Sequence, residues 1–124
     1  MNIDIALISN HYGKRITYGA ALMGYGYEVA EMSTFEDMQT LLDAGVLPRT
    51  LIIDLKLSVE RAGEFIEALR RDLRYEALKI IVMGGGAGEA QMMSEAGANL
   101  FLHRPVEVDD LLEAVHASMM QPAL

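Results

Sequence analysis

The stretch Thr50-Leu51-Ile52-Ile53-Asp54-Leu55 decides the reading of this chain. It is β-branched and apolar almost throughout and it closes on a carboxylate. A short continuous apolar run of this kind is a strand buried on both faces, as in a parallel sheet. Working outward, residues 3–8 (IDIALI) form a second such run. Residues 79–83 (KIIVM) and 99–103 (NLFLH) form two more, and residues 28–32 make a weaker one. Between them lie helical patterns. Ile16, Ala20 and Met23 recur at helical spacing in residues 14–25. Ser33-Thr34-Phe35-Glu36 matches a capping box before Phe35, Met38, Leu41 and Leu42. Residues 64–74 predict a helix with Phe65, Ile66, Leu69 and Leu73 inward and Glu67, Arg70, Arg71 and Asp72 in solvent. Residues 89–95 and 109–120 predict the last two helices, the final one with Leu111, Leu112, Val115 and Met119 on one side.

Strand and helix therefore alternate five times. This order implies an α/β fold: a parallel sheet with right-handed crossovers and helices on both faces. Ligands of such sheets bind at the carboxyl ends of the strands. The residues collected there are Ser9, Asn10, Asp54, Lys56, Gly84, Gly85 and Arg104.

Composition narrows the function. The 124 residues suit one domain, expected over residues 1–120, with residues 121–124 as a tail. Hydrophobic residues make up 52% of the chain, so a packed core is expected rather than disorder. Asp and Glu number 18 against 10 Lys and Arg, a formal charge of −8, which disfavours direct nucleic-acid binding. The chain has no cysteine, which excludes disulfides, thiolate metal sites and thiol nucleophiles. Three scattered histidines do not make a metal site. No apolar run approaches the roughly 20 residues of a membrane span, and the N-terminus does not read as a signal peptide. A cytoplasmic location without membrane contact is the expectation.

The strand ends resemble the receiver domain of two-component response regulators. Three features carry the likeness: LIID ending at Asp54, the pair Gly97-Ala98 before the fifth strand, and LHRP with Arg104-Pro105 after it. The resemblance implies a flavodoxin-like, CheY-like (βα)5 fold with a five-stranded parallel sheet in order 2-1-3-4-5. It implies that Asp54 holds the phosphoacceptor position, that Phe101 holds the aromatic switch position and that the Arg104–Pro105 bond is cis. It also implies a partner in signalling: a histidine kinase, an output domain or an adaptor. The face built from the fourth helix, fifth strand and fifth helix would be a surface for such partners or for a homodimer.

The departures from the family pattern are Ser9 and Asn10 in place of two acids, Gly84 in place of Thr or Ser, and Arg104 in place of lysine. The family's Mg²⁺ needs oxygen ligands and negative charge around it. One carboxylate facing Arg104, with Lys56 nearby, attracts a divalent cation poorly. Gly84 also removes the hydroxyl that would follow a phosphoryl group. Asp54 is then either a relic that merely caps a loop or helix, or one half of an Asp54–Arg104 ion pair bridged by the guanidinium fork.

Three functions stand at this point. The first is a degenerate receiver that is no enzyme, needs no cofactor and acts by protein–protein interaction. The second is a phosphoacceptor modified at Asp54 with Mg²⁺, with Glu60 lending a carboxylate. The third is a small-ligand or nucleotide binder using the glycine-rich 84–88 loop.

Overall fold

The computed structural model describes residues 2–56 and 58–120. The proposed tail, 121–124, lies outside the described residues. Five strands, β1 (Asn2–Ile8), β2 (Val29–Met32), β3 (Leu47–Asp54), β4 (Lys79–Gly84) and β5 (Leu100–His103), alternate with α1 (Tyr12–Gly24), α2 (Phe35–Asp43), α3 (Val59–Arg70), α4 (Glu89–Ala96) and α5 (Val108–Met120). All pairings are parallel and the order is β2-β1-β3-β4-β5. This is the flavodoxin-like arrangement expected above.

Side chains alternate across each strand, so the apolar runs feed two cores. Ala6, Ile8, Leu51, Ile53, Ile80 and Val82 face α2, α3 and α4. Ile5, Leu7, Ile52, Ile81 and Met83 face α1 and α5. Both sheet faces are thus apolar, which is why the strands read as continuous runs rather than as alternating ones. The register sets Ile53 beside Ile8 and Asp54 beside Met83. It thereby brings Asp54 to the carboxyl edge, next to the loops after β1 and β4.

Several local expectations are corrected. In α1 the buried face is Tyr18, Gly19 and Leu22, whereas Ile16 and Met23 are 44% and 49% exposed. Both faces of this helix are apolar, and periodicity alone selected the outer one. Gly19 is buried under the Glu31 side chain, whose carboxylate lies where a Cβ would go. The α2 cap is Thr34, whose hydroxyl accepts the Asp37 N–H at 3.0 Å, one residue later than the predicted Ser33–Glu36 box. Helix α3 begins earlier than predicted and ends at Arg70, so Leu73 falls in a 3-10 turn and is 79% exposed.

Arg70 is not on a solvated face. Its guanidinium donates to Gly97 O (2.9 Å), Tyr75 O (3.2 Å) and Asn99 Oδ1 (2.8 Å). Gly97 takes φ +123°, and a Cβ there would press on the Arg70 side chain. The Gly97-Ala98 signature is therefore the seat of a side chain from α3.

Candidate functional site

Asp54 ends β3 and is 2% exposed. A carboxylate so far from water requires compensating donors, and three converge on it. Arg104 Nη1 donates to Oδ1 at 2.6 Å. The Lys56 main-chain N–H donates to the same oxygen at 3.0 Å. The Ser9 hydroxyl donates to Oδ2 at 3.0 Å. The guanidinium therefore meets the carboxylate through one nitrogen, not through the expected two-pronged fork. Ser9 holds the second oxygen, and the other contact of Nη1 is the Met83 carbonyl at 3.5 Å. Lys56 contributes its amide, while its side chain is exposed.

Each donor is itself held. Ser9 is buried at the end of β1; its oxygen accepts the His11 N–H at 3.2 Å and its carbonyl accepts from Arg15 at 2.8 Å. His11 caps α1 through Nδ1, which accepts the Lys14 N–H at 3.1 Å. Arg104 follows β5, its N–H donates to Gly84 O at 2.8 Å, and the bond to Pro105 is cis. Tyr18 closes the loop beyond: its hydroxyl donates to Val106 O at 2.7 Å. Burial raises the pKa of that hydroxyl above its ordinary value, and the negative charges of Asp54 and Glu107 raise it further against a smaller opposing effect of Arg104. Among the described residues no buried side-chain nitrogen or oxygen lacks a partner.

Gly84, at the end of β4, leaves no room for a side chain. An added Cβ would lie 2.5 Å from Glu89 Oε1, 2.8 Å from Phe101 Cζ and 3.0 Å from Leu55 Cδ1. The tip of the Phe101 ring thus occupies the space that a hydroxyl-bearing residue would take. Phe101 is half-buried against the α3–α4 core and meets His103 edge-on, centroids 4.9 Å apart. Sequence reasoning missed Glu89. Its carboxylate folds back from the start of α4 and accepts the Gly85 N–H at 3.1 Å. A loop amide that could cradle a phosphate is engaged by the chain's own anion. The acid at the first position of the helix was the available signal, because carboxylates favour that position.

The pocket's donor set does not fit Mg²⁺, the ion that the family resemblance implies. Mg²⁺ needs several oxygen ligands in octahedral geometry. Here one carboxylate is already held by three donors, one of them a cation. Asn10 is exposed, and Glu60 accepts a hydrogen bond from Ser58 (3.1 Å). Among the described residues no group of three or more His, Asp or Glu side chains could hold a metal ion.

No family model and no curated protein matches the sequence. Solved structures do match. A response regulator from Chloroflexus aurantiacus J-10-fl superposes with a TM-score of 0.84 over 98% of this chain and 100% of its own, at 22% identity. The fold is that of a response-regulator receiver domain. The chemotaxis response regulator CheY4 of Vibrio cholerae gives 0.81 over 95% and 99% at 19% identity. A two-component response regulator/GGDEF domain protein gives 0.78 over 94% of this chain and 49% of that one, at 22% identity. At such identities it is the receiver architecture that is shared. Among the described residues no helix is long and apolar enough to cross a membrane.

Proposed function

We propose that this protein is a degenerate receiver: a cytoplasmic, non-enzymatic signalling module that acts by binding another protein and not by Mg²⁺-dependent phosphorylation of Asp54. The observation that carries this reading is the single contact of Arg104 Nη1 on Asp54 Oδ1 at 2.6 Å, backed by Ser9 on the other oxygen. An attacking carboxylate needs a free oxygen and a counter-ion to offset the charge that a phosphoryl group brings. Asp54 has its charge neutralised from within and both oxygens hydrogen-bonded. The packing of Phe101 and Glu89 around Gly84 supports the same reading, since a two-state switch needs contacts that differ between its states. The partner is a kinase, an adaptor or an output domain, the last as in the two-component response regulator/GGDEF protein, where the matching region makes up about half of the chain.

The test is exposure of the protein to acetyl phosphate with Mg²⁺, followed by intact mass. The reading predicts an unchanged mass. A labile phosphoryl adduct that disappears in Asp54→Asn would reject it in favour of a working phosphoacceptor.

A further inference from the structure

We infer that Arg15 and Glu31 form a clamp between α1 and β2 that positions Ser9, and through Ser9 the second oxygen of Asp54. Neither side chain bonds to Asp54 itself, whose partners are Ser9, Arg104 and the Lys56 amide. Both are positioning residues. The inference rests on the reading that the Asp54 pocket is closed from within, and it names the parts that keep it closed.

Ser9 directly follows β1. Its N–H donates to Met32 O at 3.0 Å and its carbonyl accepts from Arg15 Nη1 at 2.8 Å. Its hydroxyl oxygen accepts the His11 N–H at 3.2 Å and donates to Asp54 Oδ2 at 3.0 Å. The first two bonds tie the main chain of Ser9 to β2 and α1. A serine hydroxyl rotates to suit its surroundings, so it stays aimed at Asp54 only while that main chain is held.

Arg15 is held in its turn. Its Nε lies 3.7 Å from Glu31 Oε1, and its guanidinium carbon lies 5.5 Å from the centre of the Tyr12 ring. The two side chains of the ion pair are only 17% and 21% exposed, so water screens their attraction less than at the surface. Glu31 reaches α1 because residue 19 is glycine: the carboxylate sits where a Cβ would be. A glycine inside a helix costs about 1 kcal/mol relative to alanine. Gly19 is not among the glycines of positive φ, so its backbone does not require glycine, whereas the seat for Glu31 does.

The network therefore runs from Glu31 through Arg15 and Ser9 to Asp54. Arg15 and Glu31 also line an open cleft beside β2 and α2, with Met32, Ser33 and Asp37. The clamp is thus the solvent-facing end of a network whose inner end is buried, and a change at the β2 surface has a bonded route to the pocket.

The test is NMR on the full chain, with neither Mg²⁺ nor a phosphoryl donor present, comparing Arg15→Met, Glu31→Ala, Gly19→Ala and the double variant Gly19→Ala, Glu31→Ala. The readouts are the Ser9 and His11 amides and the Asp54 carboxyl carbon. Arg15→Met and Glu31→Ala should each shift all three signals and speed exchange at the two amides about fivefold, the loss of one hydrogen bond's worth of local stability. Gly19→Ala should reproduce those shifts by displacing Glu31, and should add nothing to them once Glu31 is alanine, the non-additivity that marks a direct coupling. Arg49→Met, which breaks the surface pair with Asp4, should leave the three signals in place. Wild-type signals in Glu31→Ala, or a Gly19→Ala effect as large without Glu31 as with it, would overturn the inference. The Gly19–Glu31 comparison decides even where Arg15→Met fails to fold. A phosphoryl adduct on the wild type would count against the earlier reading alone, because no phosphoryl donor enters this experiment.

Discussion

The Asp54 pocket and the open groove between β5 and α5, lined by Leu100, Leu102, Asp110 and Glu113, are built on opposite terms. In the pocket the central polar groups have internal partners: Arg104, Ser9 and the Lys56 amide hold Asp54, and Glu89 holds the Gly85 amide. In the groove the main-chain groups of Leu100 and Leu102 turn outward, in alternation with the Asn99 N–H that donates to Ile80 O, and the carboxylates on α5 face no lysine or arginine. A region whose polar groups are mutually satisfied is stiff and chemically quiet. A region that leaves hydrogen-bonding capacity, apolar surface and one sign of charge exposed invites a partner.

The strongest way to break the contrast is to remove one side of the ion pair. Arg104→Met should cost about 3 kcal/mol in urea unfolding, because it strands a buried carboxylate. Asp54→Asn should cost less, about 1–2 kcal/mol, since the Arg104 side chain is 24% exposed and can turn to water, and the amide oxygen can still accept from its neighbours. Equal losses would mean that Arg104 does not compensate Asp54. Next, Gly84→Thr should destabilise by roughly 2 kcal/mol through overpacking against Phe101 and Glu89. A neutral result would show that this corner yields and could still house a switch.

Smaller still is Tyr18→Phe. Loss of the bond to Val106 O should cost about 1 kcal/mol at neutral pH. The sign of its pH dependence follows from a folded-state pKa raised by burial. The protonated hydroxyl stabilises the fold fully below the ordinary value near 10. As pH climbs through that value the unfolded chain ionises first, so stability falls until the folded pKa is passed. The wild type should therefore lose stability more steeply than Tyr18→Phe in that alkaline window, and parallel curves would contradict the assignment. Smallest of all, Glu113→Lys should change stability by less than about 0.5 kcal/mol, because its carboxylate is exposed and serves no internal partner. A larger loss would make the groove a structural element rather than a docking surface.

Much of this architecture was legible in the residues. The five apolar runs gave the parallel sheet, and Asp54 announced itself as an acid at the end of a buried strand. The pattern misled where two signals overlapped. Helix α1 is apolar on both sides, so Ile16 and Met23 passed for core while Tyr18 and Leu22 fill it. Arg70 sits at a position that helical periodicity assigns to solvent, but a backbone turn at Gly97 gives it three acceptors. Glu89 was invisible for a related reason: its role depends on a loop folding back onto a helix start, a contact that no spacing rule encodes. The departures at Ser9, Gly84 and Arg104 were readable one by one. That Phe101 fills the space beside Gly84, and that Arg104 meets Asp54 through one nitrogen while Ser9 holds the other oxygen, are properties of packing.

The most direct test of the central claim is a two-dimensional NMR titration with Mg²⁺, alone and then with beryllium fluoride, following the amides of Ser9, Asp54, Lys56, Gly84 and Gly85. The account predicts no saturable shifts at these positions and no second set of signals, since Arg104 and Ser9 already hold both oxygens of Asp54. Saturable Mg²⁺ binding centred on Asp54, followed by a new conformer in beryllium fluoride, would contradict it.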